Sequence, residues 1–97
     1  MIKNVNAAGL KEAVKGTALV DFYTESCGEC KALAEVLNEI EGDLKLDVLQ
    51  FNCAEVMELT AELGIMSVST LALFKGGKEK SRLIGIREKD EIINMLK

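Results

Sequence analysis

Residues 18–30 read Ala18-Leu19-Val20-Asp21-Phe22-Tyr23-Thr24-Glu25-Ser26-Cys27-Gly28-Glu29-Cys30, an apolar run that leads into two closely spaced thiols. The run is typical of a buried strand, and the apolar stripe that follows it is typical of a helix: Leu33, Val36, Leu37 and Ile40. The thiols therefore lie where a strand passes into a helix N-terminus. Unpaired N–H groups and the helix dipole favour a thiolate there, which makes a cysteine reactive at neutral pH. Because Cα atoms at this spacing lie within bridging range, the sequence predicts reversible dithiol–disulfide exchange by Cys27 and Cys30.

The apolar pattern and its turn signals predict five strands and four helices around this pair. The expected strands are Ile2–Val5, Ala18–Thr24, Leu44–Phe51, Thr70–Phe74 and Arg82–Ile84. The expected helices contain Leu10–Val14, Cys27–Glu41, Val56–Leu63 and Ile92–Leu96. Gly76-Gly77 predicts a tight hairpin, so the two strands that flank it must be antiparallel. The order predicts one α/β domain over residues 1–97, with a central mixed five-stranded sheet and helices on both faces.

Length, charge and hydropathy argue against several classes of protein function. The 97 residues make one domain, and the net charge of −4 argues against nucleic acid and anionic membrane surfaces as partners. The residues after Met1 lack the apolar segment of a secretory signal, and no apolar stretch reaches the length of a membrane span. We therefore expect a cytoplasmic protein, in which a CxxC pair near a βαβ pattern indicates redox chemistry more than a structural disulfide.

With these elements in this order, the chain resembles the thioredoxin family from end to end. The matching segments are Leu19–Lys31, Gly64-Ile65, Thr70–Gly77 and Gly85. The resemblance implies the thioredoxin fold and a protein disulfide reductase in which Cys27 attacks a substrate disulfide and Cys30 resolves the mixed disulfide. It also implies that Asp21 is a buried carboxyl group that relays a proton to and from Cys30. The implied partners are disulfide-containing proteins and an electron donor of the thioredoxin-reductase type, with no bound cofactor or metal and a monomeric chain.

The resemblance further implies a substrate-contact surface, and several of its positions depart from the family pattern. The contact residues would be Ser26, Gly28, Glu29, Val68, Ser69 and Gly85. Ser69 stands where the family carries a cis-proline that faces the thiols. A cis bond before serine costs about 2.5–4 kcal/mol, so we expect a trans Val68–Ser69 bond or a strained cis bond held by its surroundings. Ser26 replaces a tryptophan, Glu29 a proline, and Gln50 a lysine that pairs with the buried carboxylate.

The sequence allows two interpretations for each of three residues. Asp21 interrupts an apolar strand, so it is either a buried acid that tends to stay protonated or a solvent-facing residue at a strand edge. Glu29 is either a first-turn acid that suits the helix dipole, or a residue that weakens the nucleophile and favours basic partners. Cys53 is either a small buried hydrophobe or a regulatory or dimerising thiol.

A second function class uses the same two thiols. Two subunits could share a metal ion or an iron–sulfur cluster through Cys27 and Cys30, as a carrier or sensor. Loss of the shielding proline at Ser69 motivates this alternative. Because zinc and such clusters need about four ligands and the chain has no histidine, the site would require a dimer or an exogenous thiol.

Overall fold

The structure is a computed structural model that describes residues 2–24, 27–44, 46–54, 57–65, 69–85 and 87–96. The strands are β1 (Lys3–Asn4), β2 (Thr17–Tyr23), β3 (Asp47–Asn52), β4 (Thr70–Lys75) and β5 (Lys78–Ile84). The helices are α1 (Ala7–Ala13), α2 (Gly28–Ile40), α3 (Met57–Glu62) and α4 (Lys89–Met95). A short 3-10 turn, Glu41–Asp43, follows α2. The predicted order of strands and helices is confirmed.

The five strands form one mixed sheet in the order β1-β3-β2-β4-β5. Strands β1, β3 and β2 are parallel, whereas β4 runs antiparallel to β2 and β5 antiparallel to β4. The central strand β2 therefore has a neighbour on each side, and Asp21 lies opposite Gln50 of β3 and Leu71 of β4. This position puts the strand that leads to the thiols in the middle of the sheet.

Apolar side chains alternate along β2 and β4 and build a core on each face of the sheet. One core contains Val20, Phe22, Phe51, Ala72 and Phe74 and is covered by Leu10 of α1. The other contains Leu19, Leu71 and Leu73, with Leu33 and Leu37 of α2 and Ile92 of α4. Successive strand side chains point to opposite faces, which is why neighbouring residues belong to different cores. The predicted placement of helices on both faces of the sheet is confirmed.

Two strands begin three or more residues away from their predicted start, whereas the bounds of the other three differ by a single residue at one or both ends. β3 begins at Asp47 and not at Leu44. Leu44 and Leu46 lie between the 3-10 turn and the strand and pack against the core that contains Leu33 and Leu37, which accounts for their apolar pattern. β5 begins at Lys78, ahead of the predicted Arg82. The first residues of β5 are exposed and charged, as is common in an edge strand. The apolar pattern that predicts a strand therefore begins only further along β5.

Candidate active site

Cys27 is the N-cap of α2, and its sulfur receives a backbone hydrogen bond. Its backbone is extended, and the Cys30 N–H donates to Cys27 Sγ at 3.1 Å. The N–H groups of a first helical turn have no partner within the helix, so a sulfur placed there can accept one of them. A donated hydrogen bond stabilises negative charge on that sulfur. The helix start is therefore built to stabilise a thiolate at Cys27.

The two thiols are joined as a disulfide and differ in their access to solvent. The Cys27 and Cys30 Cα atoms lie 5.2 Å apart. Cys27 is half-buried, whereas Cys30 is only 3% exposed and packs one turn inside the helix. An external disulfide can therefore approach Cys27 more readily than Cys30.

Asp21 is a fully buried acid on the central strand. Its Oδ2 accepts a hydrogen bond from Gln50 Nε2 at 3.3 Å, while Oδ1 has no hydrogen-bond partner among the described residues. Desolvation raises the pKa of Asp21 from its usual 3.8 to about 6, and the Gln50 hydrogen bond opposes that rise only in part. The solvent-facing interpretation of Asp21 is wrong, because the side chain is fully buried and its strand is central in the sheet.

A cavity lies beside Cys30, on the side of Gln50. Its volume is about 380 Å³, and its lining residues are Tyr23, Thr24, Cys30, Lys31, Ala34 and Gln50. Gln50 thus contacts both this cavity and the buried Asp21 carboxyl group. The sequence analysis missed the cavity, because residues of α2, of β3 and of the end of β2 line it together and no pattern within one of these segments indicates it.

Four of the six predicted substrate-contact residues are described. The Gly85 N–H donates to the Ser69 carbonyl oxygen at 2.8 Å, which ties the end of β5 to the start of β4. Glu29 Oε2 lies 3.8 Å from the position that a Cβ atom would occupy on Gly85, and Gly28 is exposed beside it. Ser69 is fully buried. Ser26, Val68 and the Val68–Ser69 peptide bond lie outside the described residues.

Comparison with known proteins agrees with this geometry. The thioredoxin family model matches residues 2–97. The chain belongs to the thioredoxin family. The thioredoxin of Rickettsia felis is 36% identical over 101 residues that span 99% of this chain and 96% of the relative. The thioredoxin of Alicyclobacillus acidocaldarius is 40% identical over 90 residues, 88% of this chain and 85% of the relative.

Solved thioredoxin structures show the same fold. A mutant thioredoxin from Halobacterium salinarum superposes with a TM-score of 0.90 at 24% identity and covers 97% of this chain and 86% of that one. The thioredoxin of Malassezia sympodialis superposes with a TM-score of 0.87 at 21% identity, and the match covers 99% of this chain and 89% of that one. The predicted thioredoxin fold is confirmed. Family membership and the Cys27–Cys30 pair together identify a thiol–disulfide oxidoreductase.

Cys53, the third cysteine, lies in the core on the α1 face and takes no part in the disulfide. It is 6% exposed, and its N–H donates to the Tyr23 carbonyl oxygen at 2.8 Å. Burial raises the pKa of the Cys53 thiol, and a hydrogen bond with Thr60 opposes the rise. These surroundings favour the buried-hydrophobe interpretation.

The described part of the chain offers neither a candidate metal site nor a helix that could span a membrane. No group of three or more His, Cys, Asp or Glu side chains in that part is placed to hold a metal ion. None of the helices described there has the length and apolarity needed to cross a membrane. A shared metal cluster on Cys27 and Cys30 would therefore need ligands beyond these residues.

Proposed function

We propose that this thioredoxin domain is a cytoplasmic protein disulfide reductase in which Cys27 is the nucleophile and Cys30 the resolving thiol. One observation carries the assignment: the sulfur of the half-buried Cys27 accepts a hydrogen bond from the Cys30 N–H at the start of α2, while Cys30 is only 3% exposed. The accessible sulfur is thus the one whose thiolate the helix stabilises.

The reaction transfers two electrons from the Cys27/Cys30 dithiol to a substrate disulfide. The Cys27 thiolate attacks one substrate sulfur, a mixed disulfide forms, and the other substrate sulfur leaves as a thiolate that takes a proton from water. Cys30 loses its proton and attacks the Cys27 sulfur. The bond between Cys27 and the substrate breaks, the second substrate sulfur leaves as a thiolate that takes a proton from water, and Cys27 and Cys30 are left joined as a disulfide.

Asp21 is proposed as the group that accepts the Cys30 proton in the second step and returns it when the pair is reduced again. Burial keeps its pKa at about 6, close to the pH at which it must both take and give a proton. Its Oδ1 has no hydrogen-bond partner within the described structure, so one oxygen is free to carry a proton. Gln50 lies against both this carboxyl group and the cavity beside Cys30.

The proposed partners follow from the chemistry and the charge of the chain. Disulfide-containing proteins are the substrates, and a reductase of the thioredoxin-reductase type recharges the pair, so no bound cofactor is required. Ser26, Gly28, Glu29, Val68, Ser69 and Gly85 form the proposed substrate contact. The chain acts as a monomer, and its net charge of −4 disfavours nucleic acid and anionic membranes.

The test is reduction of a model protein disulfide with dithiothreitol as the electron source. Both Cys27→Ser and Cys30→Ser should lose the activity, and only Cys30→Ser should accumulate a mixed disulfide with the substrate. Cys53→Ala is the matched control, because it removes a thiol from the core and should retain activity. A wild-type rate no higher than that of dithiothreitol alone would overturn the proposal, and a mixed disulfide trapped in Cys27→Ser would reverse the two roles.

A further inference from the structure

We propose that the Glu29 carboxylate is a specificity determinant that selects disulfides flanked by basic residues. The inference rests on the proposed function, since it names the class of substrate that the same reductase site prefers. It concerns the surface formed by Gly28, Glu29, Ile84 and Gly85, called here the acidic rim.

The Glu29 side chain crosses from α2 toward the connection that follows β5. Glu29 Oε2 lies 3.8 Å from the position that a Cβ atom would occupy on Gly85. The Gly85 N–H in turn donates a hydrogen bond to the Ser69 carbonyl oxygen. The carboxylate therefore lies between the helix that carries the disulfide and the loop proposed to contact substrate. A substrate segment docked beside Cys27 would pass next to this charge.

The charge of Glu29 is not compensated by an ion pair with any of the described residues. Within the described residues its carboxylate has no ion pair, whereas Glu39, Glu79 and Glu91 each pair with a lysine or an arginine. Arg87, the arginine of the β5–α4 connection, is engaged by the Ile84 carbonyl oxygen and by Glu91. Lys31 is two residues away on α2, a spacing that does not bring side chains together. Among the described residues, the Glu29 carboxylate is therefore left available to a cation of a bound partner.

The rest of the acidic rim fits a peptide that carries such a cation. Gly28 and Gly85 have no side chain, which leaves room for an approaching backbone, and Gly85 has a φ of +85° that disfavours any larger residue. Ile84, the residue before Gly85, is 52% exposed and offers an apolar contact at the end of β5. The net charge of −4 attracts a basic partner over a longer range.

Protein stability cannot distinguish this role from a purely structural one. A first-turn glutamate interacts favourably with the helix dipole whether or not a substrate meets it. The distinguishing readout is the selectivity between substrates of opposite charge.

The experiment compares three disulfide peptides that differ only in the residues beside the disulfide, which are lysine, alanine or glutamate. The rate constant with each peptide is divided by that of dithiothreitol alone with the same peptide, which removes the intrinsic effect of the flanking charge on disulfide reactivity. Exposed ion pairs support a preference of about two- to five-fold for the lysine peptide over the alanine peptide. The preference should fall in about 0.5 M salt, since the pair is exposed and screened.

Variants at Glu29 assign the preference to this side chain. Glu29→Gln should reduce to about one the ratio of the relative rate with the lysine peptide to that with the alanine peptide. Glu29→Lys should make the glutamate peptide the preferred substrate. Glu35→Gln is the matched control, because Glu35 is exposed on the same helix and the substitution changes the net charge equally. It should leave the ratio unchanged.

The possible results separate this inference from the proposed function. Equal relative rates of the wild type with all three peptides would overturn the selectivity inference and leave the proposed function standing. A preference for the lysine peptide that survives Glu29→Lys would do the same. A wild type that reduces none of the peptides faster than dithiothreitol would overturn the proposed function and this inference with it.

Discussion

Gln50 and Asp21 are register partners on the parallel strands β3 and β2, and the Gln50 amide donates to Asp21 Oδ2 at 3.3 Å. The amide is neutral, so it offers the carboxylate a hydrogen bond but no opposite charge. Desolvation therefore prevails, and the pKa of Asp21 stands at about 6. A buried acid that stays largely protonated below that pH has direct consequences for stability.

Asp21 should make the protein less stable as the pH rises. Folding favours the protonated carboxyl group, so this group lowers the free energy of unfolding between about pH 4, where the unfolded chain ionises, and the folded pKa of about 6. The loss is on the order of 3 kcal/mol and levels off above that range. Asp21→Asn should remove this slope and, at pH 8, be more stable than the wild type by a similar amount. Urea denaturation of both oxidised proteins from pH 4 to pH 8 measures the difference.

Asp47→Asn is the control for that series, because Asp47 is an exposed acid at the start of β3. Its stability should follow the wild-type pH dependence. If Asp21→Asn showed the same decline as the wild type between pH 4 and pH 6, burial of Asp21 would not be its cause.

Gln50 should set where Asp21 titrates. Gln50→Lys places a cation beside the carboxyl group, which favours the ionised form and should lower the Asp21 pKa from about 6 by about one unit or more. Gln50→Leu removes the hydrogen bond and should raise the pKa. Carboxyl-carbon chemical shifts of Asp21 during an NMR pH titration measure both changes. Shifts of the same sign in the two variants would show that packing, and not the amide contact, controls the titration.

The sequence predicted those features that depend on local pattern. The apolar run before Cys27 and the stripe beginning at Leu33 were sufficient for the strand, the helix and the position of the thiols between them. The position of Asp21 on one face of β2 also follows from alternation. Its burial does not, because alternation cannot tell whether a strand is central or at an edge; the pairing of β2 with both β3 and β4 decides that.

Features that depend on contacts between distant segments could not be predicted. The approach of Glu29 to Gly85 joins α2 to the end of β5, and no pattern within either segment indicates it. The start of β5 was missed for a different reason. Its exposed residues Lys78-Glu79-Lys80 resemble a loop, and only pairing with β4 makes them a strand.

Arg82 provides a test of such a distant contact. Its guanidinium donates to the carbonyl oxygens of Leu63 at 2.8 Å and Gly64 at 2.9 Å, and also pairs with Glu79. These carbonyl groups follow the last turn of α3, where Gly64 has a φ of +69° and the helical hydrogen bonds end. Arg82 therefore fastens the end of α3 to the edge strand β5.

Replacement of Arg82 should loosen α3 more than the sheet. Arg82→Met should lower the free energy of unfolding by about 1–2 kcal/mol, because two carbonyl groups lose a charged donor. Arg82→Lys should recover only part of the loss, since one ammonium cannot reproduce the planar fork. Lys80→Met is the control on the same strand, because Lys80 is exposed. Hydrogen exchange locates the effect: the Ile65 N–H, bonded to the Thr60 carbonyl oxygen at 3.1 Å, should exchange faster in Arg82→Met, while amides of β2 change less. Equal acceleration in α3 and β2 would instead indicate that Arg82 stabilises the whole domain and does not act through the end of α3.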